Sequence, residues 1–135
     1  MQEKLGVGSR EVLKAATALA GGVARQGETC GALSGAIMAL CCLVGREKLE
    51  DRDQYDRAME LAARIFREFR KEIGHSLCSE IQRIRYGRSY RLFLPEERQA
   101  FHQMGGHARN GCPEVCGVAA RLAARTILEL KQDSG

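Results

Sequence analysis

Apolar residues return at intervals of three and four through most of this chain, and glycines punctuate the runs. Behind Ser9, a residue suited to helix capping, Val12, Ala16, Leu19 and Ala20 keep helical spacing. Gly21-Gly22 weakens or ends that helix, and a loop runs on through Arg25, Gln26 and Gly27. Thr29 is expected to cap a second helix reaching about Val44, with Glu28 favourable near its positive end. Leu33, Ile37, Leu40 and Val44 share one face of it, and the opposite face is apolar too, so it is expected to be central. Gly31 with Gly35 and Ala32 with Ala36 form small-residue pairs that let a neighbouring helix approach closely.

Asp51 or Asp53 is expected to cap a long third helix whose apolar stripe is Tyr55, Met59, Ala62, Phe66, Phe69 and Ile73. Gly74 ends it, and Ser76 is the candidate cap of a short helix carrying Cys78, Ile81 and Ile84. Residues 85–94 read as irregular, and Pro95-Glu96-Glu97 signals another helix start. After Gly105-Gly106 and Asn110-Gly111, a last helix is expected from Cys112-Pro113 to about Lys131. On it Cys112, Cys116, Ala119, Ala120, Ala123, Ile127 and Leu130 share a face, which would aim both cysteines at the core.

Composition supports the same picture. The chain has 135 residues, 44% of them hydrophobic, with no Trp and few aromatics, so Ala, Leu, Ile, Val and Met must build the core. The expected fold is all-α: one compact domain over residues 1–135, a bundle of about five helices around a buried small-residue helix. No repeat or long linker divides it.

A net charge of +4 is modest and does not by itself signal nucleic-acid binding. Residues 83–91 mix arginines with two tyrosines, a pattern that tracks phosphates and stacks bases but equally marks a solvated basic loop; nucleic acid is not an expected partner. The longest uncharged run, between Glu28 and Arg46, falls short of the roughly 20 residues a membrane span needs. No signal peptide is visible after Met1, so the expected compartment is the reducing cytoplasm, where cysteines are free, metal-bound or redox-active.

The six cysteines carry the candidate chemistry. Cys30, Cys78 and Cys112 each open an apparent helix, where unpaired N–H groups favour a thiolate, the nucleophilic form of the side chain. Each also reads as a small buried residue and nothing more. Cys112 and Cys116 lie one helical turn apart and can touch one object, although CxxxC is not a specific signature. His75 lies three residues before Cys78, placed to lower its pKa or to add a ligand. Cys41 and Cys42 read as core filler: a stretch of helix about 16 Å long separates Cys41 from Cys30, too far for a bridge.

Gly27-Glu28-Thr29-Cys30-Gly31-Ala32-Leu33-Ser34-Gly35-Ala36 resembles the hallmark, with CGAxxG at its centre, of a redox-active family named for its cysteine pattern, C_GCAxxG_C_C. The lead-in through Leu13-Lys14-Ala15-Ala16 and Gly21-Gly22-Val23-Ala24-Arg25 is similar as well, as are the order and placement of Cys78 and Cys112. The resemblance implies a small, mostly helical protein with redox-active cysteines and brings no established substrate. The family pattern has a further cysteine upstream of CGAxxG; none precedes Cys30 here, so the chain reads as shortened at its N-terminus, with Cys116 as the candidate substitute.

Three readings follow. In the first, a thiol–disulfide oxidoreductase uses Cys30 to attack and Cys78 or Cys112 to resolve, with a redox protein or small thiol as partner. In the second, Cys30, Cys78, Cys112 and Cys116, with His75, bind zinc or an iron–sulfur cluster. In the third, the cysteines are inert and the protein is a helical homodimer.

Overall fold

A computed structural model describes residues 1–133. Seven α-helices follow in order: α1 (Gln2–Leu5), α2 (Arg10–Ala16), α3 (Gly31–Val44), α4 (Arg52–Ile73), α5 (Cys78–Tyr86), α6 (Pro95–Gln103) and α7 (Cys112–Asp133). A single 3-10 turn, Thr17–Leu19, extends α2. The all-α expectation holds, with two more helices than the expected five; α1, a single turn, carries no periodic signal at all. Among the described residues there is no strand, only one isolated antiparallel bridge between Thr29 and Leu77. No helix among them is long and apolar enough to cross a membrane.

Three helices make the frame: α3 packs on both α4 and α7, which also pack on each other. Leu33, Ala36, Leu40 and Val44 of α3 are buried against Ile65 and Phe69 of α4 and Ala119, Leu122 and Ile127 of α7. Full burial of one such aliphatic or aromatic side chain contributes about 1.5–3 kcal/mol, so the apolar faces dominate the packing. Across the surface, α4 and α7 are zipped antiparallel by Arg64–Glu129, Glu68–Arg125 and Glu72–Arg121, each pair one turn on from the last. These half-exposed pairs fix register more than they add stability.

Several boundaries fall where capping chemistry puts them. Ser9 accepts from the Val12 N–H, Asp51 Oδ1 accepts from the Gln54 N–H at 3.0 Å, and Gly74 closes α4 in the left-handed region at φ 101°. Pro95 opens α6 as expected. Elsewhere the expectation needs correction. The N-cap of α3 is Cys30, not Thr29, and that of α5 is Leu77, not Ser76, because Thr29 and Leu77 are held extended by pairing with each other.

The faces also differ in detail. On α4 the buried set is Ala58, Ile65, Phe69 and Ile73, whereas Tyr55 and Met59 are exposed; Tyr55 lies under the Arg46 guanidinium at 4.5 Å instead. On α7 the buried set is Val115, Ala119, Leu122, Ala123, Thr126 and Ile127, which turns Cys116 and Ala120 outward. Cys42 is exposed rather than core filler, and Cys41 is half-buried.

Candidate functional site

Cys30 and Cys78 are brought together by backbone, not by side-chain packing. The Cys30 N–H donates to the Ser76 carbonyl at 2.8 Å and the Cys78 N–H to the Glu28 carbonyl at 2.7 Å, the pair of bonds that makes the Thr29–Leu77 bridge. In this register the two cysteines are diagonal neighbours on one face of the ladder. The Ser79 N–H adds a third bond, to Gly27, at 3.0 Å.

An unusual loop feeds this bridge. Gly21, Gly22, Val23, Ala24 and Arg25 all have positive φ, between 51° and 71°, forming one turn of left-handed coil. For Val23, Ala24 and Arg25 that conformation costs about 1–2 kcal/mol each. Backbone bonds hold it: Ala24 N–H to Ala18, Arg25 N–H to Ala20, Gly27 N–H to Gly21 and Glu28 N–H to Gly22. Gly22 is required here for space as well as for φ, since a Cβ would lie 2.5 Å from the Glu28 carbonyl oxygen and 2.7 Å from Cys78 Cβ. Gly31 is pressed just as closely on the Leu19 carbonyl, 2.4 Å from where its Cβ would be.

Around these elements lies a cavity of about 400 Å³. Four thiols line it: Cys30 at the N-cap of α3, Cys78 at the first residue of α5, and Cys112 and Cys116 in the first turns of α7. All six cysteines of the chain are free. Cys41 and Cys42 lie elsewhere, towards the other end of α3.

Burial pushes Cys78, Cys112 and Cys116 away from ionisation. Cys78 is raised from 9.0 to about 12, first by desolvation and then by the charges of Cys30 and Cys112, with a bond from Gln82 pulling the other way. Cys112 is raised by burial and by Cys30 and Cys116, while the Tyr86 hydroxyl and the Arg85 guanidinium act to lower it. Cys116 is raised by burial and by Cys30.

Polar side chains not singled out in the sequence complete the cavity. Gln82, 2% exposed, takes the Tyr90 N–H on its Oε1 at 2.7 Å. That bond fixes the amide orientation, so Nε2 must face Cys78 Sγ, 3.7 Å away. The Tyr86 hydroxyl is buried with no well-formed hydrogen bond, beside Cys112. Cys78, Gln82 and Tyr86 lie four residues apart along α5, a row that its helical spacing makes legible in the sequence. Phe101 forms a wall, with Tyr86, Tyr90 and His107 edge-on to its ring at 5.6, 5.2 and 5.1 Å. His107 also lines the cavity, its Nδ1 3.4 Å from that of His102. No local signal marks His107, which reaches the cavity from the loop between α6 and α7.

The family described as putative redox-active protein (C_GCAxxG_C_C) matches residues 1–126. The chain belongs to that family. No curated protein and no solved structure matches it. In this C_GCAxxG_C_C protein, CGAxxG spans the start of α3: Cys30 is the cap, Gly31 allows the contact with Leu19, and Gly35 lines the cavity.

His75 stands apart from the cavity lining. Its Nδ1 accepts the Leu77 N–H at 3.0 Å and so supports the turn into α5. Among the described residues, no group of three or more His, Cys, Asp or Glu side chains is arranged to hold a metal ion. The four thiols share the cavity, and His75 lies outside its lining.

Proposed function

We propose that this member of a redox-active family is a thiol–disulfide exchange protein, with Cys30 as attacking and Cys112 as resolving thiol. The observation that carries the reading is that Cys30 shares one cavity with Cys78, Cys112 and Cys116 and is tied to the start of α5 by the backbone bridge. Cys30 is the N-cap of α3, and its N–H is tied to the Ser76 carbonyl at 2.8 Å, which holds it beside Cys78 at the edge of the cavity. Cys112 is favoured over Cys78 as resolving group because a hydroxyl and a guanidinium both support its anion, whereas Cys78 has one amide.

The Cys30 thiolate attacks one sulfur of a partner disulfide, forming a mixed disulfide and releasing the first partner thiolate. Cys112, as thiolate, then attacks the Cys30 sulfur and releases the second. The partner gains two electrons and the protein is left with a Cys30–Cys112 disulfide. A redox protein or a small thiol compound fills the partner role.

Mild oxidation followed by mass mapping of bridges tests this. Cys30→Ser is expected to abolish bridge formation, and Cys112→Ser to accumulate the mixed disulfide on Cys30. Thiols that all stay unreactive in the folded protein would overturn the reading.

A further inference from the structure

We infer that the thiol cavity selects a small, uncharged organic disulfide and disfavours charged ones of the same size, an inference that rests on the exchange chemistry proposed for Cys30. The lining contains no Lys, Arg, Asp or Glu; apart from the thiols, its only titratable groups are Tyr86 and His107. Arg85, the nearby cation, is already held by the Glu114 carboxylate and by the Asn110 carbonyl at 2.7 Å. A cation carried into this space meets no carboxylate in the lining, and an anion meets no Lys or Arg there and is repelled by the Cys30 thiolate, so a charged reagent leaves water with less compensation than a neutral one.

The cavity has room for such a molecule, since about 400 Å³ lies within the range of small-molecule sites. Small residues keep it open: Ala16, Ala20, Gly21, Gly31, Ala32 and Gly35 contribute to its walls. Gly35 is the telling one, because a Cβ there would meet nothing within 4 Å, so helix packing does not demand glycine. Its exposed lining members, Ala20, His107 and Cys116, mark the mouth.

The bound disulfide is the oxidant. Its S–S bond breaks as the Cys30–sulfur bond forms and its first half leaves as a thiolate that takes a proton from solvent; Cys112 then gives up its proton and closes the internal bridge, and the second half leaves as a thiolate that takes up that proton. One disulfide becomes two thiols, and two protein thiols become one disulfide.

Three disulfides of matched size test the selection: oxidised mercaptoethanol (neutral), cystamine (cationic) and dithiodiglycolate (anionic). Loss of free thiol is followed by mass mapping at Cys30 and, as an internal reference, at the exposed Cys42, which lies outside the cavity. The Cys30-to-Cys42 rate ratio is expected to be about tenfold higher for the neutral reagent than for either charged one. Equal ratios, or a higher ratio for a charged reagent, overturn the selection while leaving the exchange chemistry intact. Absence of reaction at Cys30 with all three overturns the exchange chemistry itself.

Gly35→Leu, placed in open space, is expected to slow the neutral reagent at Cys30 about tenfold without changing the rate at Cys42 or the helical circular dichroism. An unaltered Cys30 rate in folded Gly35→Leu protein overturns the proposal, and the three-reagent comparison decides it independently of that variant.

Discussion

Thr29 and Leu77 face each other across the one β-bridge among the described residues, and the residue following each is a cavity-lining cysteine. The pairing turns two helix starts, 48 positions apart in the sequence, into neighbours through main-chain bonds of 2.8 and 2.7 Å. Because the bonds are between backbone groups, side-chain substitution at Thr29 or Leu77 leaves the juxtaposition of Cys30 and Cys78 available. Loss of the loop geometry removes it.

Gly22 is the point at which that geometry is most exposed to substitution. Gly22→Ala puts a Cβ into the Glu28 backbone and Cys78 Cβ at a φ of +71°. It is expected to cost about 2–4 kcal/mol in urea unfolding followed by circular dichroism. Gly35→Ala, in helix α3 with no neighbour within 4 Å, is expected to be neutral or to stabilise by up to about 1 kcal/mol.

Raised thiol pKa values make the fold sensitive to alkali. Between 9.0 and about 12 the folded chain keeps the Cys78 proton that the unfolded chain has lost. Stability is therefore fully present below 9 and falls as pH rises towards 12, by at most about 1.4 kcal/mol per pH unit for this thiol. Cys41, Cys112 and Cys116 are shifted in the same direction and add to the slope. Urea midpoints measured against pH are expected to decline over this window, and less steeply in Cys78→Ser.

Tyr86→Phe removes the hydroxyl that favours the Cys112 thiolate. The Cys112 pKa is expected to rise further, as read by ultraviolet thiolate absorbance or by the pH dependence of its alkylation. The mixed disulfide on Cys30 then persists longer. An unchanged alkylation profile for Cys112 would show the hydroxyl to be a bystander.

Gln82→Leu strands the Tyr90 N–H and removes the donor to Cys78 at once. Loss of about 1–3 kcal/mol is expected in denaturant unfolding, from the unsatisfied, partly buried amide. The alkylation midpoint of Cys78 is expected to move to still higher pH, because the Gln82 bond acts to lower it.

Much of the architecture is written in local pattern. The caps at Ser9 and Asp51, the stop at Gly74, the start at Pro95 and the central position of the apolar helix α3 follow from rules acting within a few residues. The errors sit where a distant segment intervened. Thr29 and Ser76 have good capping side chains, yet the bridge pairs Thr29 with Leu77 and engages the Ser76 carbonyl, and the N-cap positions fall one residue later, at Cys30 and Leu77. Periodicity gave the apolar stripe of α4 but not which edge of it turns away, so Tyr55 and Met59 proved exposed.

By itself the sequence determined the helical class, the three helix starts that carry thiols and the CGAxxG hallmark, since composition, spacing and capping all act through near neighbours. Only the tertiary structure decided that four thiols share one cavity, that His75 does not join them and that Gln82, Tyr86 and His107 do. The physical reason is that desolvation and charge coupling depend on distances between residues far apart in the chain, set here by a left-handed loop and one backbone bridge.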